Sequence, residues 1–228
     1  MNSGSPQRVR GVLALLLMLM VTTCSATTAW SYIGIGWIRN QVDGDFDDDT
    51  VLIGADAIYD VPTIDPGDGL RFVLGGGSDK VSGELSYALT HHRAPGALRP
   101  DGYPTKLHYA SIDLLIGTGL GKSLTSGRGQ FYVRVGITAA RLRLDGGAYD
   151  LSATPFDVEY QGGGFTFGSG FELRFPAGVR PYVEYDYRLV SYGSVLAPRD
   201  NIEIEDSVSG RGPSICAGIN FALPRRNR

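Results

Sequence analysis

Residues 130–140 read QFYVRVGITAA, and every second residue from Phe131 to Ala139 is apolar. Successive side chains of a β-strand point to opposite faces, so this segment would have one apolar face and one polar or small face. The same alternation recurs in segment after segment of the chain. A closed barrel that turns its apolar face to lipid and its polar face inwards fits this pattern best. A β-sandwich would also alternate, but its outer face should carry more charge.

The N-terminus has the pattern of an export signal. Arg8 and Arg10 precede an apolar run at 11–21, and the small residues at 24–26 suit a cleavage site. The apolar run is shorter than the roughly 20 residues that a transmembrane helix needs. We therefore divide the chain into a cleaved signal peptide at 1–26, an outer-membrane β-barrel at 27–223 and a short basic tail at 224–228.

Composition excludes several classes of protein. The chain has 21 bases and 24 acids, and the first 26 residues carry two of the bases and none of the acids. The mature net charge of about −5 does not suggest a nucleic-acid partner. Cys216 would be the one cysteine left after cleavage, so no intrachain disulfide is expected. Gly162, Gly164, Gly168 and Gly170 share the inward face of one predicted strand, as the tight wall of a narrow barrel requires.

The alternation predicts eight antiparallel strands in an up-and-down transmembrane barrel, at 30–42, 69–78, 80–92, 105–119, 129–144, 157–175, 179–193 and 207–223. Short turns are expected at 78–80, 121–127 and 176–178, and long polar loops at 43–68, 93–104, 145–156 and 194–206. Outer-membrane barrels have short periplasmic turns and long outer loops, so both termini should face the periplasm. Segment 50–61 could add two more strands. We favour the interpretation that it extends the first hairpin above the membrane or packs on the rim.

The two faces of the predicted strands differ in character. The lipid-facing set comprises Ile33, Ile35, Trp37, Leu85, Tyr87, Leu89, Ile112, Leu114, Ile116, Phe165, Phe167, Phe171, Leu173, Val183, Tyr185, Tyr187, Leu189, Ile215, Ala217, Ile219 and Phe221. The lumen-facing set includes a charge network for which we predict a structural role: Arg71, Glu84, Asp113, Arg134, Glu184, Asp186 and Arg188.

Charges enclosed in a narrow lumen are desolvated, and each therefore needs a partner. Arg71 and Glu84 lie on neighbouring predicted strands. Asp113 is the closest candidate partner for Arg134, and Glu184 is another. We expect salt bridges to fill the lumen, since eight strands leave an interior that side chains just fill. An ion path lined by charge is the alternative.

Two stretches carry a resemblance to a known family. They are 129–146 (GQFYVRVGITAARLRLDG) and 157–195, in which a Gly-rich strand and a tight turn precede VEYDYRL. The chain resembles the small OmpA-like and OmpX-like eight-stranded outer-membrane barrels of the porin family. The family's C-terminal assembly signal has the form G-x-x-aromatic-x-apolar, which Gly218, Phe221 and Leu223 match, although this chain continues beyond it. The resemblance implies recognition of these residues by the barrel-assembly machinery.

The sequence offers few candidates for chemistry. His91 and His92 are adjacent and would point to opposite faces, which disfavours a shared metal ion. A lipid A-modifying enzyme would need a nucleophile and base within hydrogen-bond reach, but the strand pattern separates His108 from Ser111. We predict no catalytic residue, no metal and no cofactor.

Two acidic segments could instead serve as surface features. The first is a cluster of Asp43, Asp45, Asp47, Asp48 and Asp49. Its first three members match the first ligand positions of an EF-hand loop, but Asp48 and Gly54 stand where this loop needs its Gly and its Glu. A solvated acidic loop is favoured over a Ca²⁺ site. The alternating residues 201–206 could pair with the edge of a partner.

These features predict an integral protein of the Gram-negative cell envelope with a structural or surface-interaction role. Its outer loops would contact the environment, other proteins or lipopolysaccharide, and we expect a monomer surrounded by outer-membrane lipids. A small porin that passes ions or small solutes is the alternative. An enzyme acting on lipid A is a third and weaker hypothesis.

Overall fold

A computed structural model of the chain describes residues 30–47, 50–53, 57–78, 80–96, 98–119, 128–150, 152, 154–196 and 201–223. The predicted signal peptide at 1–26, the turn at 121–127, Asp48, Asp49 and the tail at 224–228 lie outside these residues. No helix in the described ranges is long and apolar enough to cross a membrane.

The structure consists almost entirely of strands. In chain order they are β1 (Trp30–Gly44), β2 (Thr50–Ile53), β3 (Ala57–Val61), β4 (Ile64–Gly77), β5 (Val81–Gly96), β6 (Arg99–Gly119), β7 (Arg128–Asp150), β8 (Pro155–Arg174), β9 (Val179–Leu196) and β10 (Asn201–Ala222). One turn of 3₁₀-helix, Asp45–Asp47, follows β1.

Eight of these strands close into a barrel. β1 pairs with β4 on one side and with β10 on the other, so that Trp37 lies opposite both Leu70 and Ala217. The remaining neighbours are β4–β5, β5–β6, β6–β7, β7–β8, β8–β9 and β9–β10, and every pair is antiparallel. The predicted eight-stranded antiparallel barrel is therefore confirmed.

The two ends of the barrel differ. At one end, which we call the turn end, lie the start of β1, the end of β10 and the tight β8–β9 turn. There Phe175 N donates to Val179 O at 3.1 Å, and Gly178 has a φ of 79° that favours glycine. Leu223 N donates to Ser31 O at 2.8 Å, so the start of β1 and the end of the described chain meet at this end. The β4–β5 turn, in which Ser78 N donates to Val81 O at 2.8 Å, and the β6–β7 connection lie at this end too. The opposite end, which we call the loop end, carries the connections that follow β1, β5, β7 and β9.

The strands run further towards the loop end than the sequence suggested. Strand pairing continues through most of 93–104, 145–156 and 194–206, which we had expected to be long loops, so that expectation was wrong. Polar side chains do not prevent a strand from pairing, because the ladder is made by the backbone. A register shift between Leu144 and Ala148, with Gly146 at a φ of 80°, bends β7 without ending it.

Segment 50–61 lies at the loop end outside the barrel wall. β2 and β3 pair as a short hairpin, and β3 pairs with the loop-end extension of β7, where Ile58 lies opposite Tyr149. Tyr59 and Val61 are buried, whereas Ile58 is exposed. The segment thus forms strands, but they sit on the rim of the barrel, as the favoured interpretation had it.

The outer surface of the wall is apolar. The side chains predicted to face lipid are exposed or half-buried in every described case, and their outward neighbours on β4 and β7 extend the same band: Leu70, Phe72, Leu74, Phe131, Val133 and Val135. Phe165, the most exposed large apolar residue, has 63% of its surface open. An apolar face this continuous would be unstable against water and suits contact with lipid.

The depth of a residue in this band should set the cost of placing a charge there. Val135 lies in the middle of the outward run of β7, whereas Phe221 lies at the turn end of β10. We expect Val135→Arg to lower the free energy of unfolding in lipid vesicles by about 2–4 kcal/mol and Phe221→Arg by about 0–1 kcal/mol. Urea unfolding followed by tryptophan fluorescence measures both losses. Equal losses would contradict the assigned depths.

Candidate functional site

The interior of the barrel contains a compact cluster of charge. All seven side chains of the predicted network lie inside the wall and are at most 4% exposed: Arg71, Glu84, Asp113, Arg134, Glu184, Asp186 and Arg188. They come from five strands, β4, β5, β6, β7 and β9. Each occupies an inward position because it is out of phase with the apolar residues that face outwards on the same strand.

Arg71 contacts acidic side chains on two different strands, β5 and β9. Its Nη2 lies 2.5 Å from Glu84 Oε1 on the neighbouring strand, and its Nη1 donates to Glu184 on β9. Asp186 Oδ2 is 3.7 Å from the same Nη1. One guanidinium therefore contacts three carboxylates, which the fork of an arginine side chain allows.

Arg134 lies beside Arg71 and shares its partners. Its Nη2 contacts Glu84, and its Nη1 donates to Glu184 Oε2 at 2.9 Å and to Asp186 Oδ2 at 3.3 Å. Asp113 Oδ2 approaches Nη2 only to 3.4 Å. The expectation that Asp113 is the closest partner of Arg134 was therefore wrong, because the long side chain crosses the lumen and does not pair along the wall.

Asp113 is consequently the least satisfied member of the cluster. It lies opposite Gly136 in the sheet, where a Cβ would overlap its carboxylate. Neither of its carboxylate oxygens has a hydrogen-bond partner among the described residues. Four carboxyl groups face three guanidinium groups, and Asp113 is the carboxyl group that the arginines engage least.

Two tyrosines close the turn-end side of the cluster. Tyr32 donates its hydroxyl hydrogen to Glu84 Oε2, and Tyr132 donates to Glu184 Oε1, each at 2.6 Å. A side chain at Gly75 or Gly170 would overlap these rings, so the glycines make room for them. Nothing in the sequence pattern singled out these tyrosines beyond the inward phase that Tyr132 shares with Arg134.

Arg188 forms a separate branch towards the loop end. Its Nη1 donates to Ser214 Oγ at 2.7 Å and to Asn40 Oδ1 at 3.3 Å. The guanidinium carbon lies 4.6 Å from the centre of the Tyr109 ring, a distance at which a cation is attracted to the ring face. These three contacts are neutral, and Asp186 Oδ2 lies 3.7 Å from Arg188 Nη2. Arg188 therefore depends less on the acids than Arg71 and Arg134 do.

The interior becomes apolar between the charge cluster and the loop end. The inward side chains there form a buried core: Ile38, Val42, Phe46, Leu107, Leu142, Leu144, Val158, Tyr160, Val190 and Tyr192. Phe46 packs edge-on against Tyr192, with ring centres 5.4 Å apart. A polar lumen had been expected along the whole barrel, and that expectation holds only for the turn-end part.

A small polar vestibule opens on the turn-end side of the two tyrosines. Its cavity of about 20 Å³ holds roughly one water molecule. Glu172, Arg174 and Asn220 line it, with Arg174 Nε donating to Glu172 Oε1 at 2.7 Å. Tyr32, Tyr132 and Glu84 also line the cavity, so the vestibule reaches the turn-end face of the arginine–carboxylate cluster.

The candidate catalytic and metal-binding residues do not converge. His108 faces outwards, where its Nδ1 is 2.6 Å from the Tyr87 hydroxyl, whereas Ser111 faces inwards and donates to Thr138 Oγ1 at 3.0 Å. His92 points into the barrel, and its Nδ1 is 2.8 Å from the carbonyl oxygen of Asp65. Within the described ranges, no group of three or more His, Cys, Asp or Glu residues could hold a metal ion.

Part of the acidic cluster and all three residues of the predicted C-terminal signal lie within the described residues. Asp43 Oδ1 accepts a hydrogen bond from Gln41 at 2.8 Å, and Asp45 Oδ2 accepts one from Ser209 N at 2.6 Å. Asp45 thereby connects the end of β1 to β10.

Of the predicted assembly signal, Phe221 and Leu223 are exposed, and Gly218 packs against the backbone of β1. The backbone of 201–206 belongs to β10.

The apolar outer band, the closed antiparallel wall and the filled polar lumen define a small β-barrel of the outer-membrane type. The solved structures with this fold include the outer membrane protein OprG from Pseudomonas aeruginosa, which is 12% identical, with a TM-score of 0.50 over 87% of this chain and 97% of that one. Neisserial surface protein A is 12% identical, with a TM-score of 0.47 over 85% of this chain and 97% of that one. Ail of Yersinia pestis is 10% identical, with a TM-score of 0.47 over 86% of this chain and all of its own.

These likenesses concern the fold. No model of a known protein family matches the sequence, and no curated protein matches it. The resemblance to small outer-membrane barrels that the sequence suggested is confirmed at the level of the fold.

Glu184 makes more contacts with the arginines than Asp113 does, so neutralising the two carboxylates should lower the free energy of unfolding by different amounts. Glu184→Gln removes the carboxylate shared by Arg71, Arg134 and Tyr132, and loss of one partner from such a buried pair costs about 3–5 kcal/mol. Asp113→Asn removes a charge that accepts no hydrogen bond, and we expect a loss of at most about 1 kcal/mol. Urea unfolding in detergent micelles compares the two variants. A larger loss for Asp113→Asn would show that Asp113 neutralises the arginines.

Proposed function

We propose that this protein is an integral outer-membrane barrel with a structural or surface-interaction role. In this proposal the loop end faces the exterior, and both ends of the mature chain face the periplasm. The export signal predicted at 1–26 supports delivery to the envelope, and the apolar outer band supports insertion into lipid. The asymmetry between the two ends of the barrel supports the orientation, because outer-membrane barrels keep their short turns on the periplasmic side.

The observation that carries this role is the filled interior. Arg71, Arg134 and their acids occupy the middle of the barrel, and the apolar core occupies its loop end. The inward side chains of both parts are buried, which supports a filled lumen. A barrel with a filled lumen would act through its surface, and the most elaborate surface is at the loop end, where the strands extend and the β2–β3 hairpin adds to β7.

The partners follow from the same placement. The outer band would contact outer-membrane lipids, the loop end would contact lipopolysaccharide or surface proteins, and the barrel would act as a monomer. Gly218, Phe221 and Leu223 would present the terminal signal to the barrel-assembly machinery. The seven charged residues of the lumen would serve a structural role, which is to hold the wall from inside.

A small porin is the second candidate. The vestibule lined by Glu172 and Arg174 favours it, because it brings water to the turn-end face of the charge cluster. An enzyme acting on lipid A is disfavoured, because His108 and Ser111 lie on opposite faces of β6. Mass spectrometry of lipid A from expressing cells tests that hypothesis directly.

Two measurements test this proposal: gel migration tests for a closed barrel, and conductance distinguishes the structural barrel from the porin. We expect the purified, refolded protein to migrate differently on a gel with and without boiling, because a closed barrel resists detergent until it is heated. In planar bilayers we expect no stepwise current, since the arginine–carboxylate cluster closes the lumen. The same migration for boiled and unboiled samples, together with recovery from the soluble periplasm, would overturn membrane insertion. Regular current steps from a heat-modifiable sample would favour the porin.

A further inference from the structure

The outer face of the barrel changes from apolar to basic near the loop end. On five of the eight wall strands, the first ionisable outward residue beyond the apolar run is an arginine (Arg39, Arg141 and Arg211) or a histidine (His91 and His108), and of the arginines Arg141 contacts Glu159. On β4 that residue is Asp68, which pairs with Arg39 at 3.5 Å. At the turn-end border of the band, the outward positions are apolar or small, as with Val81, Val179 and Phe221. The basic border is therefore confined to one end.

A notch interrupts this border between β8, β9 and β10. Gly163, Ser191 and Ser209 lie side by side in the sheet register and form its floor. Phe165 and Leu189, at the edge of the lipid-facing band, form an apolar wall. The open cavity has a volume of about 370 Å³, enough for part of a lipid molecule.

Arg211 supplies the charge of this notch. It lies opposite Asp43 in the β1–β10 register, but it forms no ion pair with Asp43, whose carboxylate accepts from Gln41. Among the described residues Arg211 has no acidic partner, and its side chain lines the notch. The unpaired guanidinium of Arg211 suits an anionic headgroup, and the apolar wall of the notch suits an acyl chain. Together they favour an anionic lipid as the ligand.

We propose that the notch binds one anionic lipid of the leaflet next to the loop end, with its phosphate held by Arg211. The hydroxyl groups of Ser191 and Ser209 donate to the same headgroup, and the acyl chain lies against Phe165 and Leu189. The inference rests on the proposed membrane insertion and adds a defined lipid site to it. A phosphate bound without its lipid would use the same headgroup contacts, so the test separates these sources.

The test is native mass spectrometry of the detergent-purified full chain with phosphatidylglycerol, with phosphatidylcholine and with inorganic phosphate. We expect one phosphatidylglycerol to be retained in preference to phosphatidylcholine. Arg211→Gln should weaken this retention about fivefold, as expected for one arginine at a lipid surface. Lys80→Gln, which neutralises an exposed base at the turn end, is the matched control and should retain the lipid.

A second pair of variants tests the shape of the notch. Gly163→Phe fills the floor and should abolish retention, and it is tolerable because a Cβ there meets only Thr138 O at 3.4 Å. Gly193→Phe places the same side chain on the outer face outside the notch, where a Cβ meets nothing within 4 Å. That control should bind as the unmodified protein does.

Three results would overturn the lipid site: equal retention of both lipids, loss of binding in Lys80→Gln as large as in Arg211→Gln, or displacement of the lipid by inorganic phosphate at equal concentration. A heat-modifiable barrel that gives any of these results keeps the proposed function and loses this inference. A protein that is not heat-modifiable loses the proposed function itself.

Discussion

The hydrogen-bonded pairing of β1 with β10 is the constraint on which the rest of the structure depends. Lipid offers no partner to a backbone N–H or C=O group, so a sheet in lipid must have no open edge. The ladder from Tyr32 opposite Ala222 to Gly44 opposite Gly210 removes that edge. Closure with only eight strands then fixes a narrow interior, and everything that faces inwards must fit there.

The narrow interior explains the arrangement of the charges. Glu184 on β9 accepts from Arg71 on β4 and from Arg134 and Tyr132 on β7, and neither β4 nor β7 is a neighbour of β9 in the sheet. Such contacts across the lumen connect strands that are not neighbours in the sheet, and they oppose flattening of the barrel. Burying charge is costly when a partner is missing, so the cluster is stable only while its members remain together.

The alternation along the chain was enough to predict the strand number, the pairing order and the two faces, because strand geometry alone decides which side chains share a face. It also placed Arg71 and Glu84 together, since neighbouring strands bring inward residues into contact. It offered Glu184 as a partner of Arg134, which the contacts include, but it put Asp113 first and did not offer Glu84 or Asp186. The partners of Arg134 depend on the stagger between strands and on how far a guanidinium reaches across the lumen, and neither quantity is local in the sequence.

The ends of the strands could not be read from the sequence, because the polar residues near the loop end do not stop backbone pairing. The expected loops at 93–104 and 145–156 contain inward Tyr103 and Ala148, both fully buried. Inward residues of this kind were the available signal for a second, apolar core. The assumption of a polar lumen along the whole barrel hid that signal.

The polarity of the wall inverts between its two parts. In the apolar band, Val133 and Val135 face outwards while Arg134 faces inwards; further along the same strand, Arg141 and Arg143 face outwards while Leu142 faces inwards. The solvent outside the wall explains the inversion: lipid demands an apolar exterior and permits a polar interior, whereas water demands the reverse. The loop-end part is thus built like a water-soluble barrel on top of a membrane barrel. The residues at which the inversion occurs mark the membrane border, and the basic residues and the notch lie at that same level.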